Sequence, residues 1–133
     1  MRHIVIASHH CFASGLKDTL EFVCGDCNVE SIDAYVDETP LHEQVASVFG
    51  RFSEDDEVLV LTDMMQGSVN QAFLPYMNER VFLVTGVNVP CAIELALTAG
   101  KLTPEAVRSA VDASRSQILY VNDQDVAIGE DDE

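Results

Sequence analysis

At 133 residues the chain is long enough for one domain, and its 47% hydrophobic content is typical of a folded globular protein. Its 23 acidic and 7 basic residues give a net charge of −16, which repels phosphate backbones and anionic lipids. This charge argues against nucleic-acid partners and against binding to a membrane surface, and it favours attraction of a basic partner.

We expect no targeting segment at the start of this sequence. The opening MRHIVIAS holds an apolar run too short for a signal peptide, and no stretch approaches the roughly 20 apolar residues that span a bilayer. We therefore expect a cytoplasmic protein. In that compartment the four cysteines are expected to be reduced thiols: Cys11, Cys24, Cys27 and Cys91.

Short apolar runs alternate with amphipathic segments along the chain. Strands are predicted over residues 3–8, 28–36, 57–63, 81–86 and 117–122. Helices are predicted over residues 14–23, 40–52, 68–79, 90–100 and 105–116. The pairs Thr39-Pro40 and Thr103-Pro104 each match a helix start, with a capping hydroxyl followed by proline. Pro75 is expected to bend or shorten the third helix.

This alternation predicts an α/β fold. Strands separated by helices pair in parallel through right-handed crossovers, giving an open, mainly parallel, doubly wound sheet of flavodoxin-like order with helices on both faces. The last strand follows two helices, so we place it at a sheet edge, in its own subunit or in a neighbouring one. One domain is expected over residues 1–123, followed by an acidic end over residues 124–133.

Polar residues follow three of the predicted strands. Ser8, His9 and His10 end the first strand, Asp63 ends the third ahead of Gly67 and Ser68, and Asn88 lies in the loop after the fourth. Ligands of open α/β sheets bind beyond the carboxyl ends of the strands. We therefore expect these residues to share one rim of the sheet.

These residue types suit transient phosphorylation of a histidine. A neutral imidazole has one nucleophilic nitrogen, and an aspartate on its other nitrogen fixes the tautomer. A helix start with glycine and serine offers N–H groups and a hydroxyl to phosphate oxygens. The alternative is structural: His9 is then an ordinary loop residue, Asp63 a strand-end cap and Ser68 a helix cap.

Three blocks of sequence resemble one family in the same order and at similar spacing. IVIASHH, VLVLTDMMQGSVNQA and VTGVNVPCAIE are similar to the IIA component of the mannose-type family of the bacterial phosphotransferase system for sugars. The resemblance covers residues 3 to about 122, and the GVNVP block at residues 86–90 is its most specific part.

The resemblance implies a set of roles. His9 accepts phosphate from the phosphocarrier protein HPr and passes it to a IIB component, which phosphorylates sugar entering through the membrane components IIC and IID. Asp63 orients His9, and Gly67 and Ser68 lie at the phosphoryl group. The loop with Asn88 walls the pocket, Asn88 being a structural or supporting group. Neither metal nor cofactor is implied, and the last strand is a candidate for exchange between two subunits of a homodimer.

The chain departs from the family pattern beside the active histidine. The family commonly has glycine directly after it, where this chain has His10, and the usual Gly-Gly-Ser is Gln66-Gly67-Ser68. Met64 and Met65 stand where an aromatic residue is common. These changes leave the chemistry in place but bear on the partner surface and the sugar. Two roles are open for His10: a second phosphate contact or a surface residue at the border of the site.

Three other functions remain alternatives. A regulatory module of the same family reports its phosphorylation state to a partner without transport, and a related subunit feeds phosphate to dihydroxyacetone kinase, although the GVNVP loop argues against it. A flavodoxin-like small-molecule binder is the third alternative, and it is weakened because this chain has no phosphate-cradling loop after the first strand beyond the single Gly15. The CGDC segment at residues 24–27 has the spacing of a redox motif but falls at a helix end, so the simpler interpretation is that its two thiols have no redox role. For Cys11 and Cys91 the simpler interpretation is that they are small, buried hydrophobic side chains.

Overall fold

The computed structural model describes residues 1–125, and a four-stranded parallel sheet lies at its centre. The strands are β1 (Arg2–His9), β2 (Val29–Ala34), β3 (Glu57–Thr62) and β4 (Val81–Thr85). They lie in the order β2-β1-β3-β4, with every neighbouring pair parallel. This is the order of flavodoxin-like sheets, and the predicted fold class is confirmed.

Five α-helices cover the two faces of the sheet. They are α1 (Phe12–Cys24), α2 (Leu41–Phe49), α3 (Ser68–Phe73), α4 (Val89–Leu97) and α5 (Pro104–Arg115). Helices α1, α4 and α5 pack on one face, and α2 and α3 pack on the other. Over residues 1–125, none of these helices has the length and apolarity needed to cross a membrane.

The central strands are buried on both faces, which explains their uninterrupted apolar sequences. Successive side chains of β1 alternate between the two cores: Ile4 and Ile6 lie under α1 and α4, whereas Val5 and Ala7 lie under α2 and α3. All four are no more than 2% exposed. A parallel strand with a helix on each side needs apolar residues at every position, not at every second one.

Arg2 closes the end of the sheet where the strands begin. Its Nε donates to Glu57 at 2.7 Å, joining the first residues of two adjacent strands. Its other nitrogens donate to three backbone carbonyls around the end of α4, those of Leu95 at 3.2 Å, Thr98 at 2.7 Å and Gly100 at 2.6 Å. A cation on free carbonyl groups stabilises a helix C-terminus, so one side chain fixes α4 against the sheet.

Several helix boundaries differ from the predictions. Helix α2 begins after Pro40, whose extended backbone makes it the cap, so the predicted Thr39 cap is wrong. The equivalent cap of α5 is confirmed, because Thr103 Oγ1 accepts from the Ala106 N–H at 3.1 Å. Helix α3 ends at Phe73 and continues as a single 3-10 turn through Pro75, as the proline predicted. Helix α4 ends at Leu97, three residues before Gly100.

The predicted fifth strand over residues 117–122 is not formed in the single chain. The turn that ends α5 runs on, with Gln117 and Ile118 donating to the carbonyls of Ser114 and Arg115, and Val121–Asp123 form a 3-10 turn. An apolar segment becomes a strand only when its backbone finds a strand edge to pair with. The predicted acidic end at residues 124–133 lies almost entirely outside the described residues.

Candidate functional site

His9 and Asp63 meet where two adjacent strands end. Strand β1 pairs with β3 so that Ala7 lies opposite Thr62, which brings the last residue of β1 beside the first residue after β3. Asp63 Oδ2 accepts two hydrogen bonds from His9, one from the backbone N–H at 2.9 Å and one from Nδ1 at 2.8 Å. The residue is therefore held by both its main chain and its ring.

The environment of Asp63 keeps its carboxylate charged. Burial raises the pKa of this carboxyl, but the hydrogen bonds from the His9 backbone and ring, the attraction of the imidazole and the N–H of Met64 outweigh burial. Its net pKa therefore lies below the ordinary value. Because the pKa is lowered, the stabilisation that Asp63 provides is present at neutral pH and is lost as the pH falls through that lowered pKa.

This contact fixes the tautomer of His9. A carboxylate only accepts hydrogen bonds, so the nitrogen that faces it, Nδ1, carries the proton in the neutral ring. The lone pair is then on Nε2, on the opposite edge of the imidazole. The His9 side chain is 31% exposed, which leaves it accessible from solvent. The site therefore offers an oriented nucleophilic nitrogen next to a charge that stabilises a cationic ring.

Gly67 lies against the free edge of the imidazole. A Cβ atom built on Gly67 would lie 2.8 Å from His9 Cε1 and 3.5 Å from Nε2. Only a residue without a side chain permits this close approach. The backbone at the start of α3 therefore faces the nitrogen that carries the lone pair, and the first N–H groups of a helix have no acceptor within the helix.

Ser68 begins α3 and is joined to a residue that sequence reasoning missed. Its Oγ is hydrogen-bonded to the phenol oxygen of Tyr35, which directly follows β2. The ring of Tyr35 lies 5.7 Å from the His9 ring, centroid to centroid. The sequence feature that could have identified Tyr35 as a site residue is its position at the end of a third strand, because the ends of β1 and β3 lie on the same rim.

Ser8 and His10 build the turn that leads from β1 into α1. Ser8 is buried, and its Oγ accepts from the Ala13 N–H at 2.7 Å and donates to the His10 carbonyl at 2.8 Å. His10 is exposed and has a φ of 55°, in the left-handed region that favours glycine. The glycine that the resemblance gives as common at this position would suit this backbone, and His10 adopts the conformation with a side chain.

Asn88 joins two helices behind the rim. Its Oδ1 accepts from the Cys91 N–H at 3.0 Å and caps α4, while its Nδ2 donates to the carbonyl of Ser114 at 2.9 Å. Both ends of the amide are therefore used within the fold. In this position Asn88 holds the end of α5 against the start of α4, the supporting role that the sequence left open.

The four cysteines differ in exposure. Cys11 is exposed, so the expectation of a buried side chain is wrong there, whereas Cys91 is buried as expected. Burial raises the pKa of the Cys27 and Cys91 thiols, and nearby Cys24 adds to the effect at Cys27, which keeps both thiols protonated at neutral pH. Within residues 1–125, no three His, Cys, Asp or Glu side chains are grouped as metal ligands.

The fold and the rim define an α/β domain that presents one oriented histidine at the carboxyl end of a parallel sheet. A sequence model of the EIIA-man family, described as the PTS system fructose IIA component, matches residues 3–112. The chain belongs to this family of the phosphoenolpyruvate-dependent sugar phosphotransferase system (PTS). The resemblance stated from the sequence is thereby confirmed.

Solved structures of similar proteins agree with this assignment. A putative sugar PTS permease from Klebsiella pneumoniae is 33% identical, with a TM-score of 0.85 and 92% of each chain covered. A PTS IIA protein associated with the fucose utilization operon of Streptococcus pneumoniae is 26% identical, with a TM-score of 0.77, 91% of this chain and 93% of that one covered. The mannose/sorbose-specific IIA subunit from Enterococcus faecalis shares the fold, at 18% identity and a TM-score of 0.77 over 95% of this chain and 98% of that one.

Replacing Gly67 with alanine should displace the His9 ring. The added methyl group would overlap the ring carbon Cε1, so either the imidazole leaves Asp63 or α3 shifts, and we expect unfolding to require about 1–2 kcal/mol less. Ring ¹⁵N NMR of His9 reports the loss of the Nδ1-protonated tautomer, and denaturant titration reports stability.

Gly15→Ala is the matched control. Nothing lies within 4 Å of a Cβ built on Gly15 in α1, so alanine there should stabilise the helix by about 0.5–1 kcal/mol and leave the His9 signals unchanged. Unchanged His9 signals in Gly67→Ala would contradict the close approach described above.

Proposed function

We propose that this protein is the phosphoryl-transfer IIA component of a sugar PTS, accepting phosphate from phospho-HPr on His9 and passing it to a IIB component. The observation that carries the proposal is the contact of Asp63 with His9 Nδ1, which leaves Nε2 as the nucleophile. Family membership supports HPr and IIB as partners in general. The protein would act in the cytoplasm, feeding the membrane components IIC and IID through IIB.

The proposed transfer uses only groups of the rim. The Nε2 lone pair of His9 attacks phosphorus, an N–P bond forms, and the bond between phosphorus and its donor group on HPr breaks. Asp63 stabilises the positive charge that the phosphorylated ring acquires. The backbone at Gly67, which lies at the free edge of the ring, and the hydroxyl of the adjacent Ser68 would contact the phosphoryl oxygens. Positioning and dipoles supply the stabilisation without a metal or cofactor.

The surface around His9 suits a protein partner. Phe12 at the start of α1 is 47% exposed, and Met64 and Met65 after Asp63 are 48% and 72% exposed. Apolar side chains grouped around a polar site are typical of protein-binding surfaces. In this chain the two methionines, which adapt to different partners, are proposed to contact HPr and IIB in turn.

We also propose that the protein is a homodimer in which residues 118–121 complete the sheet of a second copy. Ile118, Leu119, Tyr120 and Val121 are 56–72% exposed, an unusual run for a folded chain. The outer edge of β4 forms an apolar groove with α5, lined by Leu83, Val107 and Val111, and the Thr85 hydroxyl there is buried without a hydrogen-bond partner within the described residues. Pairing of residues 118–121 with β4 of a second copy would cover both this groove and the exposed apolar side chains of the segment itself.

Phosphohistidine mapping tests the transfer function. After incubation with phosphoenolpyruvate, Enzyme I and HPr, the wild-type chain should carry an acid-labile label on His9. The label should be absent in His9→Ala, which lacks the nucleophile, and retained in His10→Ala, the matched control from the adjacent position. A wild-type chain without label, or label that persists in His9→Ala, would refute the proposal.

Asp63→Asn should slow the transfer by about 10- to 1,000-fold, because the amide lacks the charge that stabilises the phosphorylated ring and no longer fixes its tautomer. Rapid-quench measurement with phospho-HPr gives the rate. The wild-type rate should also fall as acid protonates Asp63, at a pH below the ordinary carboxyl range because its pKa is lowered.

Asp56→Asn provides the control for this prediction. Asp56 forms the second His–Asp pair found within residues 1–125, with His3 Nε2 at 2.9 Å, and it lies before β3 at the far end of the sheet. Its loss should reduce stability and leave the transfer rate unchanged. Equal rates for Asp63→Asn and the wild type would remove Asp63 from the mechanism.

Truncation tests the proposed dimer. A chain ending at Asp125 should sediment as a dimer, whereas a chain ending at Ser116 should sediment as a monomer, because it lacks the apolar segment that pairs with β4. A monomeric full-length protein, or a dimer that survives truncation at Ser116, would be incompatible with this arrangement.

A further inference from the structure

Tyr35 reaches the site through an unusual backbone conformation. In β2, Ile32 and Ala34 face the core under α2 and α3, whereas Asp33 faces α1 and accepts from the Ser14 N–H at 3.0 Å. Continued alternation would place Tyr35 on the α1 side of the sheet. Its φ of 69° lies in the left-handed region, and the side chain instead reaches Ser68 at the start of α3.

This conformation is unfavourable for a residue with a Cβ atom, and burial does not enforce it. Left-handed backbone is rare for aromatic residues and persists only where surrounding contacts determine it. Tyr35 is 49% exposed, so core packing supplies little of that constraint. Its side chain is hydrogen-bonded to the hydroxyl of Ser68 and lies beside the ring of His9. An observed outlier of this kind, located beside a nucleophile, points to a role in function.

We propose that Tyr35 is a positioning residue for phosphoryl transfer at His9 and acts through Ser68. Either oxygen of this pair can donate, and the proposal assigns the phenol O–H as the donor to Ser68 Oγ. The single hydroxyl proton of Ser68 is then left to donate to a phosphoryl oxygen on Nε2. This inference rests on the proposed function, because it assigns a role within the same transfer step.

The arrangement requires no proton transfer between Tyr35 and Ser68. During transfer the N–P bond forms at His9 and the bond to the donor group of HPr breaks, while Tyr35 and Ser68 each keep their proton. A hydroxyl that is free to rotate spends part of its time directed at solvent. Acceptance of the phenol proton removes that freedom and directs Ser68 toward the charged phosphoryl oxygens, where a hydrogen bond is strongest.

Tyr35→Phe removes the phenol oxygen and keeps the ring beside His9. We expect kcat for phosphorylation by phospho-HPr to fall about 3- to 30-fold, the usual effect of losing one supporting hydrogen bond. The KM for phospho-HPr should stay within about twofold, since the loss is felt in the transfer step and not in docking. Tyr76→Phe is the matched control, because Tyr76 stacks on Phe49 on the α2 side of the fold and should transfer at the wild-type rate.

A double-mutant cycle with Ser68→Ala separates this role from a merely structural one. If Tyr35 acts through Ser68, Tyr35→Phe should cost nothing further in the Ser68→Ala background. Equal losses in both backgrounds would overturn the inference, as would a wild-type kcat for Tyr35→Phe. Phosphorylation of the wild-type chain distinguishes failure of the proposed function from failure of this inference alone. No phosphate on wild-type His9 overturns the proposed function together with this inference, whereas normal phosphorylation of both wild type and Tyr35→Phe overturns the inference alone.

Discussion

The hydrogen bond between His9 Nδ1 and Asp63 is the interaction on which the site depends. It requires β1 and β3 to be adjacent, parallel and paired in one register. A shift of β1 by one residue would move His9 to the opposite face of the sheet, because side chains alternate with a period of two. Such a shift would also exchange the larger Ile4 and Ile6 with the smaller Val5 and Ala7 between the two closely packed cores, and this difference in side-chain volume opposes it. Packing of the apolar strand thus determines which nitrogen of the imidazole is nucleophilic.

The order of elements and the shared rim could be predicted because they follow from short-range rules. Apolar runs bounded by polar loops identify strands, and alternation with helices implies parallel pairing. Once the strands are parallel, their carboxyl ends meet at one edge, so His9, Asp63 and Ser68 were expected to lie together. The structure joins His9 and Asp63 by hydrogen bonds and places Gly67, the residue before Ser68, against the His9 ring. Their chemical roles remain predictions, because geometry alone does not show transfer.

The features that sequence did not predict depend on contacts between distant segments or on backbone angles. Tyr35 directly follows a strand in a polar segment, and nothing local to it indicates a left-handed conformation or a partner 33 residues away. Thr39 matched the same cap pattern as Thr103, yet the extended backbone at Pro40 displaced the helix start by one residue. Residues 117–122 have the composition of a strand, but composition does not show whether an edge is within reach of the same chain.

The left-handed backbone at His10 bears on how such a site diversifies. Glycine and histidine both tolerate this conformation, so the turn after the nucleophile can exchange one for the other while the main chain keeps its path. The residue at this position is exposed, whereas the hydrogen bonds of Asp63 are made with His9 and not with His10. A substitution at this one residue therefore changes the surface that a partner meets while the contact between His9 and Asp63 is kept.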